Sequence, residues 1–136
     1  SGSTQKDSVS CQKRYDLVKG QVLTGLQRGG AARPVAIVPV KMIECWILGD
    51  RNAFVDVFGM APDHKLFRSP ELLWGNEYDS NSDYPKNYLS RILEMCGVHS
   101  SQAIFVSIAD ASAIETLCKT CPISFADFAA QLSTYT

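Results

Sequence analysis

The sequence predicts an α/β fold: a small, mostly parallel sheet at the amino end followed by a helical carboxyl half. Three observations carry that expectation. Val35, Ala36, Ile37, Val38 and Val40 form an apolar run rich in β-branched residues without alternation, the pattern of a strand covered on both faces. An amphipathic helix precedes the run, and helix then strand is half of a βαβ crossover. From Pro85 onward, helix start signals and helical spacing of apolar residues recur.

Taken in order, Ser1 to Thr4 reads as an expression scar or frayed end, and residues 1–6 are set aside as tag remnant or disordered. From Ser10 to about Arg28, Tyr15, Val18, Val22 and Leu26 recur every three or four residues, and Gly29 and Gly30 stop the helix. After the strand, Met42 to Leu48 fits either strand or helix. Asp50 reads as the N-cap of a helix through Phe58, with Gly59 as its terminator. Residues 7–59 therefore form the expected α/β core, and residues 60–136 the helical remainder of the same domain.

In that remainder, Ser69, Pro70 and Glu71 read as a cap and first turn, although Gly75 leaves room for little more than one turn. Asn76 to Asp83, NEYDSNSD, reads as a flexible loop. Pro85 opens a helix carrying Tyr88, Leu89, Ile92, Leu93 and Cys96 to a stop at Gly97. Ala103 to Ala109 is apolar and of undecided type. Ser112 with Glu115, and Ser124 with Asp127, have the spacing of local capping boxes that start the last two helices.

The chain has 136 residues, 13 basic and 14 acidic. That length can bury one core without disulfides, and the charge balance argues against a strong non-specific nucleic-acid binder. No apolar run reaches the roughly 20 residues of a membrane-spanning helix. The expectation is a soluble cytoplasmic protein with no membrane association, and an oligomer is compatible with it. Five scattered cysteines fit reduced, mostly buried thiols better than a disulfide framework. Cys118 and Cys121 make a lone C-x-x-C with no second ligand pair for zinc, and a redox role would need a lowered thiol pKa.

At MIECWILGD, Glu44, Trp46 and Asp50 stand in an E-x-W-(L/I)-L-x-D pattern directly after the apolar run. Downstream come a proline-lysine pair, Pro85 and Lys86, and a Cys-Pro then Ser-Phe element in CPISFADFAAQL. On these motifs the sequence resembles an uncharacterised bacterial Toprim-like family, domain of unknown function 4276, over about Asp7 to Leu132. That family is similar to the Toprim nucleases of OLD-type systems, which pair with ATPases in phage defence. The resemblance implies a Toprim-like α/β fold, Mg²⁺ or Mn²⁺ as cofactor, nucleic acid as substrate and an ATPase partner. It departs where an Asp-x-Asp is expected: the chain reads QKD there, leaving Asp7, and the strand with the first glutamate has no counterpart. The expectation is that a missing amino-terminal portion or another chain supplies those carboxylates.

Phosphodiester hydrolysis with Mg²⁺ needs hard oxygen ligands, one or two carboxylates per ion. Glu44 and Asp7 are the expected metal ligands because both fall at carboxyl ends of predicted strands, with Asp50 as a further acidic group near the metal. Glu44 and Lys86 are the expected catalytic residues, the lysine contacting phosphate or stabilising transition-state charge. Each has a plainer role open to it: Glu44 in an ion pair with Lys41 or Lys86, Asp50 as helix cap, Lys86 as a solvated surface cation. Two functions compete. One is a metal-dependent nuclease, or the carboxyl-terminal part of one. The other is a catalytically degenerate interaction module that docks on a partner ATPase.

Overall fold

The computed structural model describes residues 7–38, 43–60 and 62–135. Among them every regular element is a helix, and no strand forms. The helices are α1 (Ser8–Arg28), α2 (Glu44–Ile47), α3 (Arg51–Phe58), α4 (Pro85–Met95), α5 (Gln102–Ala111), α6 (Ile114–Thr120) and α7 (Phe125–Ser133). Short 3-10 turns at His64–Phe67 and Pro70–Leu72 lie between α3 and α4. The expected α/β fold with a parallel sheet is thereby corrected to an all-helical one.

The reason lies in what the apolar run meets. Val35 to Val38 takes no regular structure, and no strand forms beside it among the described residues. The Gln131 side chain on α7 takes a strand's place: its Oε1 accepts from the Ala36 N–H at 2.8 Å and its Nε2 donates to the Ala36 carbonyl at 3.2 Å. One amide thus fills the two backbone positions that a ladder would fill. Ala36 is buried while Ile37 stays 61% exposed, so the run is covered on one side only. Val40 and Lys41, the end of the expected strand and a suggested partner for Glu44, lie outside the described residues.

The main core joins both halves of the chain. Leu48, Ala53 and Phe54 pack with Phe67, Leu73, Leu89, Ile92, Leu93 and Ile108. Phe54 is fully buried and meets Phe67 edge to face at 5.0 Å between ring centres. In α4 the 3.6-residue spacing of Leu89, Ile92 and Leu93 explains which face turns inward, and Pro85 supplies the first helical position without losing a needed N–H. The undecided stretch Ala103 to Ala109 is helix α5, which packs against α3. Gly49 sits where a Cβ would run into the Leu117 side chain, so the absence of a side chain lets α6 close on the α2–α3 turn.

Alpha-1 is attached differently. Of its 21 residues only Cys11 and Tyr15 are buried, against Ile123. The expected inward stripe is therefore filled only at Tyr15; Val22 and Leu26 remain 37% and 39% exposed. The loop expected to be flexible, Asn76 to Asp83, is instead clasped by α4. Arg91 donates to the carbonyls of Ser80 and Ser82 and to the Asp83 carboxylate at 3.0 Å, while Asn87 donates to the Glu77 and Asp79 carbonyls. A guanidinium thus sits among loop oxygens, each of which gains a charge-assisted bond.

Candidate functional site

The four residues expected to do chemistry stand at separate helix starts. Asp7 is the N-cap of α1, accepting from the amides of Val9 and Ser10 at 3.3 and 3.2 Å. Those backbone bonds, chiefly the one from Val9, hold its carboxyl below the usual range. The strand expected to end at Asp7 would lie in residues 1–6, outside the described residues; from Asp7 onward the chain is helix. Glu44 is half-exposed in the first residue of α2. No ion pair among the described residues engages it. Lys86 is exposed in the first turn of α4.

Asp50 is buried, 3% exposed, and both its oxygens are taken. Oδ1 accepts from the Asn52 amide at 3.0 Å, capping α3 as expected. Oδ2 accepts from the Ala113 amide at 2.9 Å, at the start of α6. One carboxylate therefore closes two helices. The local box expected from Ser112 and Glu115 does not form, since the Ser112 hydroxyl donates back to the Ile108 carbonyl at 2.7 Å. Among the described residues, no group of three or more His, Cys, Asp or Glu side chains is placed to hold a metal ion.

The most deeply placed carboxylate is one that the sequence reading assigned only to a helix turn. Glu71 is 1% exposed and lies in the 3-10 turn Pro70–Leu72. Its oxygens accept from the Ile123 amide at 2.8 Å, from the Ser124 amide at 2.7 Å and from the Ser124 hydroxyl. That hydroxyl in turn accepts from the Trp46 indole N–H at 2.7 Å. A carboxylate at the N-terminus of α7 is favoured by the exposed amides and by the helix dipole. Here it arrives from a distant turn, so Ser124 donates to Glu71 and is no nucleophile. Asp127, its expected capping partner, instead accepts from the Tyr15 hydroxyl at 2.6 Å, Lys19 at 2.7 Å and Gln131 at 3.1 Å. The signal that could have found Glu71 is an acidic residue flanked by Pro70, Leu72 and Leu73 in a segment too short to be amphipathic.

None of the five cysteines is in a disulfide. Burial, with the nearby Glu71 charge adding to it, pushes the Cys121 thiol well up, opposite to the lowered value a redox motif needs. Cys121 lies at the end of α6, beside Cys45, Trp46, Phe125 and Phe128. Trp46 meets Phe125 edge to face at 5.0 Å and stacks on Phe128 at 5.6 Å between ring centres.

On the other side of this aromatic group, an apolar groove of about 270 Å³ opens between α2, α5, α6 and α7. Trp46, Ile47, Ala109, Leu117 and Phe125 form its walls. Ile43 and Ile114 stand over it, 45% and 65% exposed. Ser112 is its one polar lining residue. Its one hydroxyl, that of Ser112, is turned onto the Ile108 carbonyl, so the lining is otherwise apolar. No protein-family model, curated protein or solved structure matches the chain.

Proposed function

We propose that this domain is a non-catalytic, all-helical protein-binding module that receives an apolar side chain of a partner polypeptide in the groove beneath Ile43 and Ile114. The observation that supports this reading is the groove itself: apolar walls open to solvent, rimmed by two isoleucines that the domain's own core leaves uncovered. Apolar anchors in such pockets supply most of the affinity in protein recognition. Two of the three carboxylates expected to hold a metal support it from the other direction, since Asp7 and Asp50 are spent on helix caps. The nuclease reading, with Mg²⁺ or Mn²⁺, and the ATPase partner rest on the family resemblance alone.

A photo-reactive amino acid at Ile114 tests the module in cells of the source organism, with exposed Glu94 on α4 as the control position. The expected result is a cross-linked partner from Ile114 alone, which purified partner then binds and Ile114→Asp no longer binds. Equal cross-linking from both positions overturns the reading. A purified domain that cleaves DNA or RNA with Mn²⁺, and loses that cleavage with Glu44→Gln, overturns it in favour of the nuclease.

A further inference from the structure

The groove is apolar in its walls, but the helices around it are charged, and the charge is nearly of one sign. Together α2, α5, α6 and α7 carry four carboxylates, Glu44, Asp110, Glu115 and Asp127, and one ammonium, Lys119. Asp127 is spent on Lys19 and the Tyr15 hydroxyl. Lys119 lines a separate cleft, shared with Phe67 and Ile123, that has no residue in common with the groove. Arg51, the next cation along the chain after α2, donates to the Pro62 carbonyl at 2.6 Å.

Glu44, Asp110 and Glu115 are left, and none of them has an ion-pair partner among the described residues. Each directly follows a residue that lines the groove: Glu44 after Ile43, Asp110 after Ala109, Glu115 after Ile114. Asp110 and Glu115 are exposed and Glu44 is half-exposed. Consecutive Cα atoms are about 3.8 Å apart and the Debye length in physiological salt is about 8 Å, so all three charges are felt by whatever enters the groove. Over the whole chain 13 basic and 14 acidic residues nearly cancel, so the acidic rim is a local separation of charge rather than a consequence of composition.

We propose, resting on the reading of this groove as a docking site, that its occupant is a basic segment of the partner polypeptide. One apolar side chain enters the groove, and lysines or arginines on either side of it in the partner's sequence meet Glu44, Asp110 and Glu115. The apolar anchor supplies most of the affinity, while the rim charges set the choice of partner and the speed of encounter. A segment with the same anchor and acidic flanks fits the walls but is repelled at the rim.

The test is selection of a phage-displayed library of random peptides, about 12 residues long, on the purified full chain, followed by affinity measurements on the enriched sequences as synthetic peptides. Peptides that no longer bind Ile114→Asp are groove-dependent; that substitution adds a negative charge, so the loss of a basic peptide reports the apolar contact and not the rim. The groove-dependent peptides are expected to combine an apolar residue with two or more Lys or Arg and a net positive charge. Their Kd is expected to rise about tenfold in Glu44→Lys/Glu115→Lys, as two exposed ion pairs become repulsive, and several-fold between about 50 and 500 mM salt. If the double reversal fails to fold, Glu44→Gln/Glu115→Gln is expected to give about a threefold rise. Groove-dependent peptides without an excess of basic residues, or with a Kd that ignores both salt and the rim substitutions, overturn the proposal and leave the docking reading standing. The enrichment of no groove-dependent peptide overturns both.

Discussion

Glu44 and Glu71 are both glutamates near the start of a short helical turn, and the molecule uses them in opposite ways. Glu44 begins its own helix and stands half-exposed, so water solvates it at little cost. Glu71 is carried into the interior and finishes the start of a helix that belongs to another part of the chain. Burying a carboxylate with no cation on it is costly unless donors surround it. Two amides and a hydroxyl do so, and removing the carboxylate leaves all three donors without it. The difference teaches that position within a local motif says little about a carboxylate's work; the donors that reach it decide.

The contrast can be broken most sharply at Glu71. Glu71→Ala strands three donors beside Trp46 and should cost about 3 kcal/mol or more. Glu71→Gln keeps one acceptor but sets an amide N–H against another donor, costing about 2 kcal/mol. Urea unfolding followed by Trp fluorescence measures both. If Glu71→Ala were neutral, Glu71 and Glu44 would not differ in kind.

Asp50 comes next, because it works like Glu71 but for two helix starts at once. Asp50→Ala removes one cap from α3 and one from α6, about 1 kcal/mol each, so a loss of about 2 kcal/mol is expected in the same unfolding assay. Asp50→Asn keeps a single acceptor and should fall about midway. Equal stability of Asp50→Ala and the parent would mean that one of the two caps carries no energy.

Asp127 sharpens the comparison at intermediate exposure. Burial raises its carboxyl, but the bonds from Lys19 and Tyr15 outweigh that and leave it below the usual carboxylate value. A carboxylate depressed in the folded state contributes stability above its unfolded pKa of about 3.9, and the contribution fades as pH falls through the lower folded value. Docking of α1 should therefore weaken below about pH 4, and Asp127→Asn should remove that part of the pH dependence while costing about 0.5–1 kcal/mol at pH 7. Thermal melts across pH 2.5–7 would show it. A parent and variant with parallel pH profiles would assign the acid sensitivity elsewhere.

The smallest effects are expected where the sequence first pointed. Glu44→Gln and Lys86→Gln should each change stability by less than about 0.5 kcal/mol in the unfolding assay, as solvated side chains with no ion pair among the described residues generally do. A loss above about 2 kcal/mol from either would reveal a hidden network and end the distinction drawn here.

What the sequence disclosed was local. Tyr15 to Leu26 spacing showed α1, Asp50 showed the cap of α3, and Gly59 at φ 68° ends that helix as its position suggested. Pro85 and the Leu89–Leu93 stripe likewise marked α4. What it hid was reached across long stretches of chain. The starts of α6 and α7 looked self-sufficient in Ser112 with Glu115 and Ser124 with Asp127, yet Asp50 and Glu71 close them from afar. A local box is worth about 1 kcal/mol, and a remote carboxylate that also joins two packed elements outcompetes it. The β-branched run misled for the same reason: propensity favours an extended chain but does not supply a neighbour, and the neighbour is an amide on α7.

That amide has a consequence for solubility. Val35 to Val38 is a β-branched, apolar segment whose composition suits intermolecular pairing, and Gln131 occupies the hydrogen-bonding sites of Ala36. It works as a plug on a template: with the plug gone, the exposed Ile37 and the freed peptide group would offer other copies a seed for cross-chain association. Gln131→Ala is therefore expected to raise aggregation of the concentrated protein, which light scattering would measure against the parent.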